Sequence, residues 1–302
     1  MPILITKKSR RKRHREPVPS DWKIPRANDL VPSPYFRWKG VIGWVLALIL
    51  LLPGLPIIGI LVLLVRLTSK GPGIHRQTRI GKDGKPFTMY KIRTMAHDTE
   101  AQIGVVWTRP GDARITHLGR VLRKLHLDEL PQLFNVLKGE MHLIGPRPER
   151  PEFVHALAKV VPGYTNRLAV RPGITGLAQI NLPPDTDLES VRCKLALDLE
   201  YVGSAGPVLD IRMFLCTCVR LLGLPGEYSM RMFQLQRDVT NHPGHSIGPS
   251  NGASGADHSF VTPAHIVAQA TVNRPDGNGG TPKESETPSH DESERKTAAK
   301  PR

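Results

Sequence analysis

The sequence predicts an α+β fold, predominantly helical, in which a re-entrant membrane helix-break-helix precedes a compact domain with a small β-hairpin and interfacial amphipathic helices. Three observations carry that prediction. Val41 to Val65 is a run of 25 residues without a charged side chain, with Pro53 and Pro56 near its middle. Two β-prone runs flank the string Gly81-Lys82-Asp83-Gly84-Lys85. Beyond them, apolar residues recur at helical spacing over much of 115–224.

Residues 1–40 form a basic N-terminal tail in which Lys7 to Arg15 reads Lys-Lys-Ser-Arg-Arg-Lys-Arg-His-Arg. Such a run is either a solvated tail or is drawn to anionic lipid headgroups, which add about 1 kcal/mol per basic residue near the surface. A nucleic-acid arm fits less well, because no aromatic residue interleaves. The apolar segment 41–66 is long enough to cross a hydrocarbon core of about 30 Å as a helix. It starts too far from the N-terminus, and runs too long, for a signal peptide, and lacks an Ala-x-Ala-like cleavage site. Proline inside a helix removes a donor and clashes with the carbonyl four residues back, so a break is expected at Pro53 and Pro56. Basic residues flank both sides: Arg37 and Lys39 before, Arg66, Lys70, Arg76 and Arg79 after. Positive charge marks the cytoplasmic side, and a symmetric bias favours a segment that enters, breaks at Pro56 and returns to the same face. A single span with a proline kink is the other reading.

Ile74 to Ile80 and Pro86 to Met95 predict a hairpin with a somewhat long loop. The loop is not a phosphate-binding P-loop, because Gly-x-x-x-x-Gly-Lys-Ser/Thr is absent. From about Ile115 to Leu157 the pattern is helical, Pro162 to Asn181 is irregular, and Leu188 to Tyr201 is a charged amphipathic helix. Pro207 to Leu224 is apolar but interrupted by Asp210, Arg212 and Arg220, which favours an interfacial or packed helix over a second span. Past Asn241 the chain has few large apolar residues and reads as disordered. The expected organisation is therefore a tail over 1–40, a membrane segment over 41–66, a main domain over 67–225 and a mostly disordered tail over 226–302.

The chain has 302 residues, room for one or two domains with a buried core. With 42 Lys and Arg against 27 Asp and Glu, the net charge of +15 implies an anionic partner: nucleic acid, membrane surface or phosphorylated substrate. Cys193, Cys216 and Cys218 have neither paired spacing nor a Cys-x-x-Cys motif, which argues against a disulfide framework or zinc site and for a reducing compartment.

The candidate chemistry lies at Asp128 and Glu129. Leu127, Leu130, Phe134 and Leu137 draw one apolar helical face, with the two carboxylates off it, and Pro131 is tolerated only in a first turn, so the helix starts near Asp128. Unpaired N–H groups and the macrodipole favour negative charge there. An N-cap Asp followed by a first-turn Glu, both structural, is the better explanation of the pair taken alone, and the arginines nearby change that. Arg147, restricted by two prolines in Gly145-Pro146-Arg147-Pro148, suits bidentate phosphate recognition, and Arg123 reaches the same locus if the chain turns between them.

With these residues in order, the chain closely resembles the bacterial sugar transferases, the monotopic polyprenyl-phosphate phosphoglycosyl transferases. The resemblance runs from about Val41 to Leu222. It is carried by Arg76-Gln77-x-Arg79-x-Gly81, Tyr90-Lys91-Ile92-Arg93-Thr94-Met95, Leu127-Asp128-Glu129-Leu130-Pro131-Gln132-Leu133-Phe134-Asn135, Gly145-Pro146-Arg147-Pro148-Glu149 and Val170-Arg171-Pro172-Gly173-Ile174-Thr175-Gly176. It implies that Asp128 attacks the sugar-proximal phosphate of a UDP-sugar and releases UMP, after which undecaprenyl phosphate takes the phosphosugar to begin exopolysaccharide or O-antigen-type assembly. It further implies that Glu129 binds Mg²⁺, that Arg123 and Arg147 hold phosphate, with Lys91 and Arg171 as further phosphate ligands within the same motifs, and that Pro56, with Pro53, kinks a re-entrant helix. The enzyme would then lie on the cytoplasmic face of the inner membrane, with the bilayer as a partner, no nucleic acid, and a homodimer left open. Leu55 stands where the family often has Ser, and Glu200 where it commonly has an aromatic. A membrane-anchored basic protein binding anionic lipid or nucleic acid without catalysis is the alternative, and leaves Asp128, Glu129 and Arg147 unexplained. A noncatalytic scaffold is disfavoured by the intact Asp-Glu pair.

Overall fold

The computed structural model describes residues 30–96, 106–107 and 111–237. The basic run Lys7 to Arg15 and the polar stretch beyond Asn241 lie outside the described residues. Helix α1 (Phe36–Thr68) is followed by strands β1 (Ile74–Ile80) and β2 (Pro86–Ile92) and helix α2 (His117–Lys124). A 3₁₀ turn over Leu127–Gln132 leads into α3 (Leu133–Leu137), β3 (His142–Ile144) and α4 (Pro151–Val160). A second 3₁₀ turn (Tyr164–Ala169) precedes β4 (Gly173–Thr175), α5 (Leu177–Asn181), α6 (Leu188–Ser204), α7 (Pro207–Leu221) and α8 (Gly226–Met232).

The fold is mostly helical with small sheets, as expected. The hairpin forms where turn chemistry puts it: β1 and β2 pair antiparallel from Ile74 opposite Ile92 to Ile80 opposite Pro86. Asp83 (φ 55°) and Gly84 (φ 75°) supply the left-handed backbone that reverses the chain. The predicted helical run 115–157 is divided. Strand β3 interrupts it and pairs parallel with β4, inside the stretch expected to be irregular. Three-residue strands carry too little periodicity to separate from a short buried helix. What fixes this pair is backbone proximity: a Cβ on Gly173 would lie 2.0 Å from the Gly145 nitrogen, so only glycine permits the crossing.

Helix α1 departs from expectation in two ways. It begins at Phe36 and ends at Thr68, wider than 41–66, and it remains helical through Pro53 and Pro56 instead of breaking. The helix is held against the body along this stretch by apolar contacts: Ala47, Leu51 and Ile58 join Met89, Leu133, Val136 and Met141 in one cluster. Buried residues recur as Lys39, Gly43, Ala47, Leu51, Gly54, Ile58, Leu61 and Val65, a narrow stripe along the whole helix. The rest of the surface stays apolar and exposed, including Ile42, Trp44, Ile49, Leu52, Ile60 and Leu67. A helix that is apolar all round but packed on one side only belongs in lipid rather than water.

Both ends of α1 are fastened to the same body. At its start Lys39 pairs with Asp210 of α7 and donates to the Tyr201 hydroxyl, which itself donates to Asp210 at 2.6 Å. At its end Leu61 and Val65 pack with Ile92 and Leu122, and Arg93 donates to Ser69 at 2.7 Å and 2.9 Å. Helix α6 opens with a capping box at Asp187 and Ser190 and divides its faces between two clusters: Leu188, Val191 and Leu195 meet α4, while Leu197 and Tyr201 meet α5 and α7. The packed body continues past residue 225, with Leu235 fully buried. The packed body therefore runs past the expected boundary at 225: Met230, Phe233 and Leu235 all join the cluster formed by α5, α6 and α7.

Candidate active site

Strand β2 supplies the first side of the site. Two residues past its end stands Thr94, whose carbonyl lies so close to α2 that a Cβ on Gly119 would come within 2.1 Å of it. Thr116 caps α2, accepting from Gly119 N–H at 2.9 Å. This docking puts Arg123, in the last turn of α2, where its Nε donates to Thr94 Oγ1 at 2.8 Å. His126 then adopts φ 54°, the turn that the expected approach of Arg123 and Asp128 requires.

The carboxylates sit in the first turn of the 3₁₀ segment and not of an α-helix, though close to the expected start. Asn135, fully buried, binds this segment to the hairpin: its Oδ1 accepts from Tyr90 N–H at 3.2 Å and its Nδ2 donates to Thr88 O at 2.7 Å and to Glu140 at 2.7 Å. Lys91, the next residue of β2, thereby faces Glu129, to which it donates at 2.7 Å. Arg147 reaches the same oxygen of Glu129 at 3.2 Å.

Adjacent in sequence, the two carboxylates live in opposite electrostatic environments. Burial raises Asp128 above its ordinary range, Glu129 adds to the rise, and Lys91, Arg123 and Arg147 oppose it incompletely. Burial would also raise Glu129, yet Lys91 and Arg147 hold it well below the usual carboxylate range. Asp128 is therefore the more basic oxygen and, once ionised, the better nucleophile, while Glu129 stays anionic and suits a cation. Hard cations such as Mg²⁺ use one or two carboxylates and take their remaining ligands from water and substrate phosphate. The pair fits that donor set. Among the described residues no group of three His, Cys, Asp or Glu side chains forms a closed cage.

Of the residues singled out from sequence, Asp128, Glu129, Lys91, Arg123 and Arg147 come together. Arg171 does not join them: it is exposed, with its guanidinium about the glycines Gly40 and Gly139, where a Cβ on Gly40 would meet it at 3.4 Å. Its charge acts on His142 at the entry of α1. Pro53 and Pro56 lie mid-helix in α1. Sequence reasoning missed Asn135 and Thr94. Asn135 had a visible signal, a polar residue among apolar ones seven positions after Asp128.

The profile of a family described as "Bacterial sugar transferase" matches residues 35–223. The chain is 40% identical over 183 residues to an Aeromonas hydrophila protein named "UDP-N-acetylgalactosamine-undecaprenyl-phosphate N-acetylgalactosaminephosphotransferase", a match covering 60% of this chain and 43% of that one. It is 38% identical over 192 residues to "UDP-glucose:undecaprenyl-phosphate glucose-1-phosphate transferase" of Caulobacter vibrioides, covering 63% of this chain and 72% of the relative. It is 41% identical over 175 residues to "Exopolysaccharide production protein PSS" of Rhizobium leguminosarum bv. phaseoli, covering 54% and 84% respectively. The chain thus spans less than half the length of the first relative and most of the other two.

Proposed function

Since the chain belongs to the bacterial sugar transferase family, we propose that it moves a phosphosugar from a UDP-sugar to undecaprenyl phosphate through a covalent intermediate on Asp128. The observation that carries this reading is the geometry of two neighbouring carboxylates: Glu129 accepts from Lys91 at 2.7 Å and from Arg147 at 3.2 Å, while Asp128 is buried beside them with no direct ion pair among those described. An ionised Asp128 oxygen attacks the sugar-bearing phosphorus, the bond from that phosphorus to the bridging oxygen breaks, and UMP leaves with the electron pair. A phosphate oxygen of undecaprenyl phosphate then attacks the same phosphorus, and the Asp128 carboxylate is released unchanged. Splitting the transfer in two gives ping-pong kinetics.

Arg147 and Lys91 lie where they can orient the donor's phosphates, and Arg123 stands beside the nucleophile. Such positioning and charge compensation account for most of what a protein contributes to phosphoryl transfer. Glu129 is the residue that would hold Mg²⁺, and the ion when bound would offset the negative charge that develops on the leaving phosphate.

A lipid acceptor explains the unpartnered apolar surface of α1 and the exposed Val208, Ile211 and Leu215 of α7, which suit a membrane interface. Lys39 and Val65, near opposite ends of α1, pack on one body. A helix crossing to the far side would have to pull one end free, which supports both ends lying on one face; in our reading that is the cytoplasmic face of the inner membrane, where the UDP-sugar is met. Pro53 and Pro56 lie midway along this helix, which stays continuous through both.

The direct test incubates purified protein with Mg²⁺ and a panel of UDP-sugars and measures UMP, with and without undecaprenyl phosphate. Turnover is expected with one or a few sugars and only with the lipid. Inactivity across a broad panel contradicts the proposal.

A further inference from the structure

Four consecutive carbonyls of the Arg147 loop are each held from another part of the fold. Pro146 O accepts from Gly173 N–H at 2.9 Å, and Glu149 O accepts from Ile80 N–H at 3.0 Å. Arg79 Nη1 donates to Pro148 O at 3.0 Å, and Arg167 Nη2 donates to Arg147 O at 2.9 Å. The last contact falls on the residue whose guanidinium meets Glu129 at 3.2 Å.

Arg167 is 8% exposed, donates through Nη1 to the Tyr164 hydroxyl at 2.9 Å and pairs with Asp198 of α6 at 2.6 Å. Asp198 is itself 2% exposed. Burying such a pair roughly cancels its own attraction, and apolar residues of similar volume are often as stable or more so. Stability alone is therefore a poor reason for a charge here. Its geometry is specific: one guanidinium plane bridges the Arg147 carbonyl, a tyrosine and a carboxylate. Two nitrogens of the fork reach all three, Nη1 the tyrosine and Nη2 both the Arg147 carbonyl and, as an ion pair, the Asp198 carboxylate, an arrangement a lysine ammonium cannot reproduce.

We propose that Arg167, braced by Asp198 and Tyr164, is a positioning residue that fixes the Arg147 loop and so sets how tightly the site grips the donor's diphosphate. The inference rests on the reading of Arg147 as a phosphate ligand. Arg167 meets the loop from behind and touches no reacting group.

The test measures UDP binding to the purified full chain in lipid nanodiscs, at saturating Mg²⁺, by calorimetry that reports Kd and stoichiometry separately. Arg147→Met should weaken UDP by about 10-fold or more, the worth of a charge-assisted contact. Arg167→Lys should weaken it about 5-fold, and Arg147→Met with Arg167→Lys should bind no more weakly than Arg147→Met alone, because one acts through the other. A merely structural role lowers the stoichiometry and leaves Kd unchanged. If Arg167→Lys fails to fold, Asp198→Asn, which keeps the shape of the brace, should still raise Kd about 3-fold. Wild-type Kd in whichever of these variants folds, or additive losses in the double variant, overturns the inference while leaving Arg147 in place. Wild-type Kd in Arg147→Met overturns the underlying reading, and the inference with it.

Discussion

At the residue scale the site depends on giving adjacent, chemically similar side chains different fates. Glu129 contacts two cations while Asp128, one residue earlier, is buried without a direct salt bridge among those described. The raised Asp128 implies an acid limb for the chemical step above the ordinary aspartate range of about 4. Activity should fall as pH drops toward that limb, because protonation removes the nucleophile; a pH profile of single-turnover UMP release checks this. His142 gives a separate expectation for stability. Burial, then the charges of Lys39, Arg171 and Lys82, push it down to about 3, below the unfolded value near 6.5. Between those values the unfolded chain binds the proton and the folded chain does not. Stability is therefore lost as pH falls through the window, by up to about 1.4 kcal/mol per pH unit. His142→Gln should flatten the fall in Tm between pH 7 and pH 5, and an unchanged slope would count against this role. The sequence displayed the carboxylate pair and the constrained arginine plainly. It could not display the split in their environments, which arises from Lys91 arriving on a strand 38 residues away.

At the element scale the hairpin, the 3₁₀ turn and α3 act as one unit through Asn135. Asn135→Leu removes partners from Tyr90 N–H, Thr88 O and Glu140 inside a packed interface and should cost about 3 kcal/mol. Denaturant unfolding would measure that loss, and donor binding should weaken as Lys91 and Glu129 drift apart. The hairpin was legible because β-turn chemistry is local. The β3–β4 pair was not, since its register depends on backbone contact between Gly145 and Gly173, far apart in sequence. Periodicity likewise suggested one helical run through residues that a strand divides. The break expected in α1 came from a sound local rule about proline, overridden by packing that the rule does not include. The link from Lys39 to Asp210 and Tyr201 was also out of reach, because its partners follow 162 or more residues later. Lys39→Met leaves Asp210 without its cation and should destabilise the protein by about 3–5 kcal/mol. Adding Asp210→Asn should recover part of this, as thermal unfolding in nanodiscs would reveal.

For the whole molecule, α1 joins a membrane element to a site that handles phosphate. At 33 residues it is about 50 Å long, more than a hydrocarbon core of about 30 Å requires, and the body follows it along one stripe. Reporters fused at the N- and C-termini should therefore report the same membrane face, and opposite faces would contradict the arrangement. Composition had pointed to an anionic partner without choosing one. On the proposed function, that general charge serves a diphosphate donor on one side and a lipid phosphate acceptor on the other.

The proposed chemistry depends most directly on Asp128 as the carboxylate that carries the phosphosugar between the two transfers. Its sharpest test is the intact mass of the protein after incubation with Mg²⁺ and an accepted UDP-sugar in the absence of undecaprenyl phosphate. The wild type should gain the mass of one phosphosugar, mapped to Asp128 and discharged when the lipid phosphate is added, and Asp128→Asn should gain none. An adduct that persists in Asp128→Asn, or wild-type turnover by that variant, would contradict the account.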